Sequence, residues 1–267
     1  MLPAIELAGL RVPTHDLFSL TGILVGLAIY YRELRRRGML DERILIISLT
    51  VLIGGGLGAR LLLAWEHLPY YVEWDGASVL SLIEHSGKSL IGAVAGGYLA
   101  GVLAKRALGY RRSTGDCYAL AIPVAVAIGR VGCFLAELPL GTPTDLPWGM
   151  SVSPEAAAAF PGCTACAGTM HPSMLYEIGF NLAAIALIVR FRRRVVVQGD
   201  VLKTYLLAAA LFRFLVEFVR GNPPQALGLT GPQWVLLPLT ALLVIHFARE
   251  LRSGVLHVPL APPVASS

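Results

Sequence analysis

Apolar runs of about 15–22 residues follow one another along the chain, each closed by a short cluster of charge, and a run of that length is what crosses a hydrocarbon core. The pattern predicts seven helical spans, at 17–31, 44–65, 89–104, 117–136, 174–189, 201–219 and 232–248. Lys and Arg residues between the spans fall in alternate connections. Positions 32, 35, 36, 37 and 43, then 105, 106, 111 and 112, then 190, 192, 193 and 194, then 249 and 252 carry fifteen, against three at Arg11, Lys88 and Arg220. That asymmetry predicts an extracytoplasmic N-terminus, a cytoplasmic C-terminus and extracytoplasmic loops at 66–88, 137–173 and 220–231.

Composition agrees with an all-α polytopic membrane protein, residues 1–267 forming a single integral-membrane domain with an extracytoplasmic loop at about 137–173. With 55% hydrophobic residues, 15% charged residues and mean hydropathy +0.67, the chain is too apolar for a soluble domain. Its net charge of +5 could suggest nucleic acid, but the basic residues sit in short clusters at span ends and read as topogenic, so no nucleic-acid partner is expected. Four cysteines include one CxxC, Cys163-Thr164-Ala165-Cys166, which has no second pair to complete a zinc site and reads as a loop disulfide or two free thiols. No cofactor or metal is expected. Glu6 precedes any basic residue, and no removable signal peptide is expected at the N-terminus.

Charges inside the apolar runs carry the chemical information. Arg130 lies in the fourth span between Gly129 and Gly132, whose lack of side chains lets backbone or a ligand come close, and Pro139 and Gly141 end the helix beyond it. An Arg at mid-bilayer costs about 2.5–3.5 kcal/mol on insertion scales, so it should face protein, water or an anion. Arg60 lies in the outer part of span two, after Gly54-Gly55-Gly56-Leu57-Gly58, and the loop that follows holds Trp65, Tyr70, Tyr71 and Trp74, an interfacial aromatic belt. Span three, Leu90 to Gly101, is rich in small residues at helical spacing, which argues for close packing. His15 precedes span one, and His171, Tyr176 and Glu177 stand at the mouth of span five, where Glu177 could cap the helix or pair with a cation.

Span six reads Leu211-Phe212-Arg213-Phe214-Leu215-Val216-Glu217-Phe218-Val219-Arg220. Arg213 and Glu217 are four apart and Glu217 and Arg220 three apart, so a helix puts all three on one face. With Arg60 and Arg130, four guanidiniums would share one carboxylate, Glu217. Such a surplus in a low-dielectric place calls for an anion, and at this level of a membrane the abundant anion is a phospholipid phosphate, which planar bidentate arginines suit.

The ordered motifs Gly129-Arg130-Val131-Gly132-Cys133-Phe134 with Glu137 and Gly141, Thr144-Asp145-Leu146-Pro147-Trp148-Gly149, His171-Pro172-Ser173-Met174-Leu175-Tyr176-Glu177 and Phe212 to Arg220 resemble those of the prolipoprotein diacylglyceryl transferases. The resemblance implies a multi-pass enzyme of the bacterial plasma (inner) membrane. Such an enzyme moves the diacylglyceryl group of phosphatidylglycerol to the lipobox cysteine thiol in a lipoprotein precursor's signal peptide. It implies Arg130, Arg213 and Glu217 as catalytic residues, and Arg60, Arg220, Gly129, Gly132, Glu137, Gly141 and Tyr176 as substrate-binding residues. His15 and His171 become the candidate proton acceptors, and membrane lipid the surroundings. The sequence departs from the family pattern at Cys133 (Asn there), Met174 (Gln), Ile91 (the His of a His-Gly-Gly), Ala209 (Tyr) and His15-Asp16 (Tyr-Gly). The alternatives are a non-catalytic phospholipid-binding membrane protein that kept the anion site, or a transferase with another acceptor.

Overall fold

A computed structural model describes residues 4–7, 10–66, 89–138, 140–158, 168–192, 197–222 and 224–253. The aromatic belt at 70–74 and the CxxC at 163–166 lie outside them. The described chain is mostly helical and forms two compact units, one made of residues 1–33 with 113–267 and the other of 34–112.

In the first unit a hairpin of β1 (Ala4–Leu7) and β2 (Leu10–Pro13), paired antiparallel, leads into α1 (Thr14–Arg36), whose last residues pass into the second unit. The short α4 (Gly115–Tyr118) and α5 (Ala121–Leu135) together make the fourth span. They are followed by β3 (Met150–Val152), the single turn α6 (Pro154–Ala158) and β4 (Gly168–Met170), with β3 and β4 antiparallel. Then come α7 (Ser173–Phe191), α8 (Asp200–Val216) and α9 (Gly231–Arg252). The second unit is a pair of helices, α2 (Glu42–Glu66) and α3 (Leu90–Ala107).

Six of these helices are long and apolar enough to cross a membrane, and their solvent-side positions are apolar as lipid requires: Leu20, Leu24, Leu49, Leu61, Leu99, Leu187 and Leu242 are all exposed. The remaining expected span is α8. At 17 residues it is about 26 Å long, and a 3-10 turn at Glu217–Val219 extends it to the expected end. The small-residue stripes of α2 and α3 meet. A Cβ built on Gly58 would collide with the Gly92 carbonyl, one on Gly92 with that of Gly58, and one on Gly96 with that of Gly54, so only glycine permits this approach.

Two apolar clusters close the first unit. Cys133, Met150, Val152, Ala157, Met170 and Met174 pack where α5 ends and α7 begins. Ala119, Ile188, Val201, Leu202 and Tyr205 pack at the other end of the same helices. Between them Phe180 of α7 stacks on Phe212 of α8 with centroids 4.3 Å apart. The two clusters thus fix the C-terminal end of α5, the N-terminal end of α7 and the C-terminal end of α8 on one side, and that side carries the arginines.

Candidate functional site

Each of those three ends contributes charge, and the charges alternate. Nε of Arg130 on α5 lies 2.5 Å from Oε2 of Glu177, which sits in the second turn of α7. The other oxygen of Glu177, Oε1, accepts from Nη1 of Arg220 at 3.1 Å. Nε of Arg220 is 3.7 Å from Oε2 of Glu217, and Glu217 closes on Arg213 one turn back along α8. The row therefore runs Arg130, Glu177, Arg220, Glu217, Arg213. The sequence expectation of one carboxylate shared by the arginines is corrected here, because Glu177 pairs with Arg130 and Arg220 directly.

Burial makes this row expensive to break. The arginine side chains are 16% (Arg130), 15% (Arg213) and 10% (Arg220) exposed, and the carboxylates 4% (Glu177) and 0% (Glu217). Arg220 is thus no more exposed than the other two, although it follows the expected end of span six. The single helical face is also modified. α8 stops at Val216, the 3-10 turn carries Glu217, and Arg220 is extended at φ −100° and ψ 149°, which swings its side chain between the two carboxylates. Three guanidiniums against two carboxylates leave one positive charge in the row, the charge that a phosphodiester monoanion would balance.

Polar neighbours fix the carboxylates. Oε1 of Glu217 accepts from the Thr230 hydroxyl at 2.9 Å and from Asn222 Nδ2. Thr230 is also the cap of α9: its backbone N–H donates to Gln233 Oε1 at 2.9 Å, and Gln233 Nε2 donates to the Phe214 carbonyl at 3.2 Å, so the cap of one helix is locked to the end of another. Below Glu177, Asn181 Nδ2 donates to the Glu177 carbonyl at 2.7 Å, and the Tyr205 hydroxyl donates to Asn181 Oδ1 at 2.9 Å. Asn222, Thr230 and Asn181 gave no signal in the hydrophobic pattern, being single polar residues at loop or span positions. Glu177 did, as the one acid in span five.

The loop after α5 is stitched across the row. Thr142 N–H donates to the Val219 carbonyl at 3.0 Å, and His171 N–H donates to the Thr142 carbonyl at 2.9 Å. Gly141 bridges Arg220, and a Cβ there would overlap the His171 carbonyl, so glycine is required where this segment passes between the two. The Tyr176 hydroxyl accepts from Trp148 Nε1 at 3.0 Å and lies 3.3 Å from His171 Nδ1. Glu137, at φ 54°, ends α5 and accepts from the Ser153 N–H at 3.0 Å, which ties it to loop structure.

His15 approaches from α1. Its imidazole lies beside the Cys133 side chain and 3.3 Å from Asp16, while Arg130 Nη1 lies 3.7 Å from Cys133 Sγ. His15 is therefore separated from Arg130 by one thiol. Gly132 makes this possible, since a Cβ on it would strike Phe18 Cβ at 2.5 Å. Gly129, by contrast, faces open space. Arg60 and Ile91 belong to the helix pair of the second unit.

The model of one family, prolipoprotein diacylglyceryl transferase, matches residues 3–249. The chain belongs to the prolipoprotein diacylglyceryl transferase family. It is similar to proteins named phosphatidylglycerol–prolipoprotein diacylglyceryl transferase. That of Leifsonia xyli subsp. xyli is 30% identical over 94% of this chain and 79% of the relative. That of Cupriavidus pinatubonensis is 29% identical over 94% and 93%, and that of Gloeobacter violaceus 32% identical over 81% and 80%. This is a family of membrane transferases, and the apolar helices make the chain a multi-pass membrane protein. Cys133 and Met174 lie together in one buried apolar cluster, and Cys133 alone of the two also faces an arginine, Arg130.

Proposed function

We propose that this chain transfers the diacylglyceryl group of phosphatidylglycerol to the lipobox cysteine of a lipoprotein precursor. The observation that carries the reading is the buried row of three arginines and two glutamates in a chain of this family. Arg130, Arg213 and Arg220 hold the lipid phosphate, Glu177 and Glu217 orient them, and Gly129 leaves room beside Arg130. In the reaction the cysteine sulfur bonds to the glyceryl carbon, the carbon–oxygen bond to phosphate breaks, and glycerol phosphate departs. Negative charge grows on the leaving phosphate where the guanidiniums are already fixed, so they stabilise the transition state without reorganising. The fifteen-to-three distribution of Lys and Arg supports an extracytoplasmic N-terminus and, with it, a row on the outer side, where precursors emerge.

The test is lipidation of a lipobox peptide by the purified chain supplied with labelled phosphatidylglycerol. Transfer of label to the peptide, with release of glycerol phosphate, is the expected result. Lipid binding without any transfer would instead favour the non-catalytic alternative, and transfer to a different thiol peptide would favour another acceptor.

A further inference from the structure

At the end of α8 opposite the arginine row, its first turn meets the last turns of α9. Asp200 opens α8, Lys203 follows one turn later, and His246 and Glu250 stand four apart on α9. His246 Nε2 has three neighbours: Lys203 Nζ at 2.9 Å, Glu250 Oε1 at 3.1 Å and Asp200 Oδ1 at 3.3 Å. Lys203 Nζ is also 2.8 Å from Asp200 Oδ1. Asp200 is 1% exposed, and its Oδ2, like Oε2 of Glu250, is buried without a hydrogen-bond donor, although the two carboxyl groups are within reach of each other.

No single protonation state of His246 satisfies these contacts. A proton on Nε2 suits the two carboxylates and opposes the ammonium. A lone pair on Nε2 accepts from Lys203 and opposes the carboxylates. A cation among the three ligand atoms removes the conflict, because lone pair and carboxylates then point at the same charge. The spacing from His246 fits: bonds of about 2.0–2.1 Å in a tetrahedron put neighbouring ligands about 3.3 Å apart, against 3.1 Å to Glu250 and 3.3 Å to Asp200. One imidazole nitrogen with two carboxylates suits a first-row transition ion better than magnesium or calcium, which prefer oxygen throughout. Among the described residues, this is the group of His, Asp and Glu whose ligand atoms come within 4.8 Å of one another.

We propose that Asp200, His246 and Glu250 bind one divalent transition-metal ion, and that the Lys203 ammonium is the internal cation it displaces. Lys203 is 26% exposed, and its flexible stem lets the ammonium move outward. The ion would clamp α8 to α9 about 20 Å along the helix from Arg213, so it is structural and separate from the transfer chemistry.

The probe is Zn2+, titrated into tag-free full-length chain that has been purified in detergent and stripped with chelator. One ion per chain is expected by equilibrium dialysis with elemental analysis, together with a rise in unfolding temperature. Asp200→Asn and His246→Ala should each weaken binding at least tenfold. Lys203→Met should tighten it by a similar factor. Glu250→Gln, on a more exposed side chain, provides a second ligand variant should the Asp200 variant fail to fold. Absence of saturable binding, equal affinity in the ligand variants, or loss of binding in a Cys163→Ser/Cys166→Ser variant would each overturn the assignment.

Discussion

Arg220 and Glu177 carry the sharpest expectations at the scale of single residues. Because Arg220 bridges both carboxylates at 3.1 and 3.7 Å and is as buried as its neighbours, Arg220→Ala should cost as much activity as Arg130→Ala or Arg213→Ala. Each loss should be about 10²–10³-fold in turnover, the scale of removing one fixed donor from a developing charge. Lipidation of a precursor in membranes lacking their own enzyme measures it, and an Arg220→Ala variant with near-normal turnover would remove Arg220 from the phosphate site. Glu177→Gln acts differently. It takes the carboxylate from Arg130 and leaves Arg220 with Glu217 alone, and breaking a buried pair costs about 3–5 kcal/mol, so the variant should unfold at markedly lower temperature before activity is considered. A melting curve equal to that of the parent would contradict the pairing.

Cys133 and Met174 couple in a way that a double-mutant cycle can read. Asn at 133 alone would keep Arg130 in reach of one end of its amide and bury the other among Met150, Met170 and Met174, at the low end of about 1–3 kcal/mol for a polar group left unpaired. Gln at 174 alone should cost the fuller amount. If the two residues exchanged together, Cys133→Asn/Met174→Gln should be more stable than the sum of the single variants by about 1 kcal/mol or more. Additive losses in denaturant titrations would mean the two sites changed independently.

Among elements, the loop after α5 depends on one position. Gly141→Ala drives a methyl into the His171 carbonyl, so the segment that hydrogen-bonds Val219 and His171 must shift, and Arg220 with it. We expect activity to fall at least tenfold while helix content by circular dichroism stays unchanged, and retained activity would show that the stitching does not position Arg220. How far such elements were legible in the sequence follows from what each one reports. Span helices declare themselves by length and apolarity, so the expected span 44–65 and the helix Glu42–Glu66 nearly coincide. Gly54, Gly58, Gly92 and Gly96 announced close packing by their spacing, though not that they meet each other. The 3-10 turn at Glu217–Val219 was invisible, since a periodicity of three and four cannot be told apart over one turn, and it is this turn that brings Arg220 back to Glu177. Arg130 and Arg213 were legible because charge in a span is costly. Asn181, Thr230 and Asn222 were not, because their roles exist only across helices.

For the whole molecule the open question of chemistry is where the acceptor thiol's proton goes. Span three carries Ile91 and no histidine, and an alkyl side chain cannot accept a proton. The first unit offers His15 and His171, but His15 is engaged with Cys133 and Asp16, and His171 with Tyr176. Among the described residues, neither is joined to the arginines by a hydrogen bond. Transfer should therefore draw on thiol that ionises on its own, which has a reference pKa of about 8.5. Below that value each pH unit raises the thiolate fraction about tenfold, so the rate should climb steeply from about pH 6 and level off only near pH 8.5–9. Were His15 the working base, the rate would instead follow its imidazole and level off before the thiol's own range is reached. The measurement is a pH series of peptide lipidation with parent and His15→Gln chains. A plateau already reached at neutral pH in the parent and lost in His15→Gln would give the proton to His15, whereas no transfer at any pH with lipid bound would leave the arginine row an anion site without a reaction.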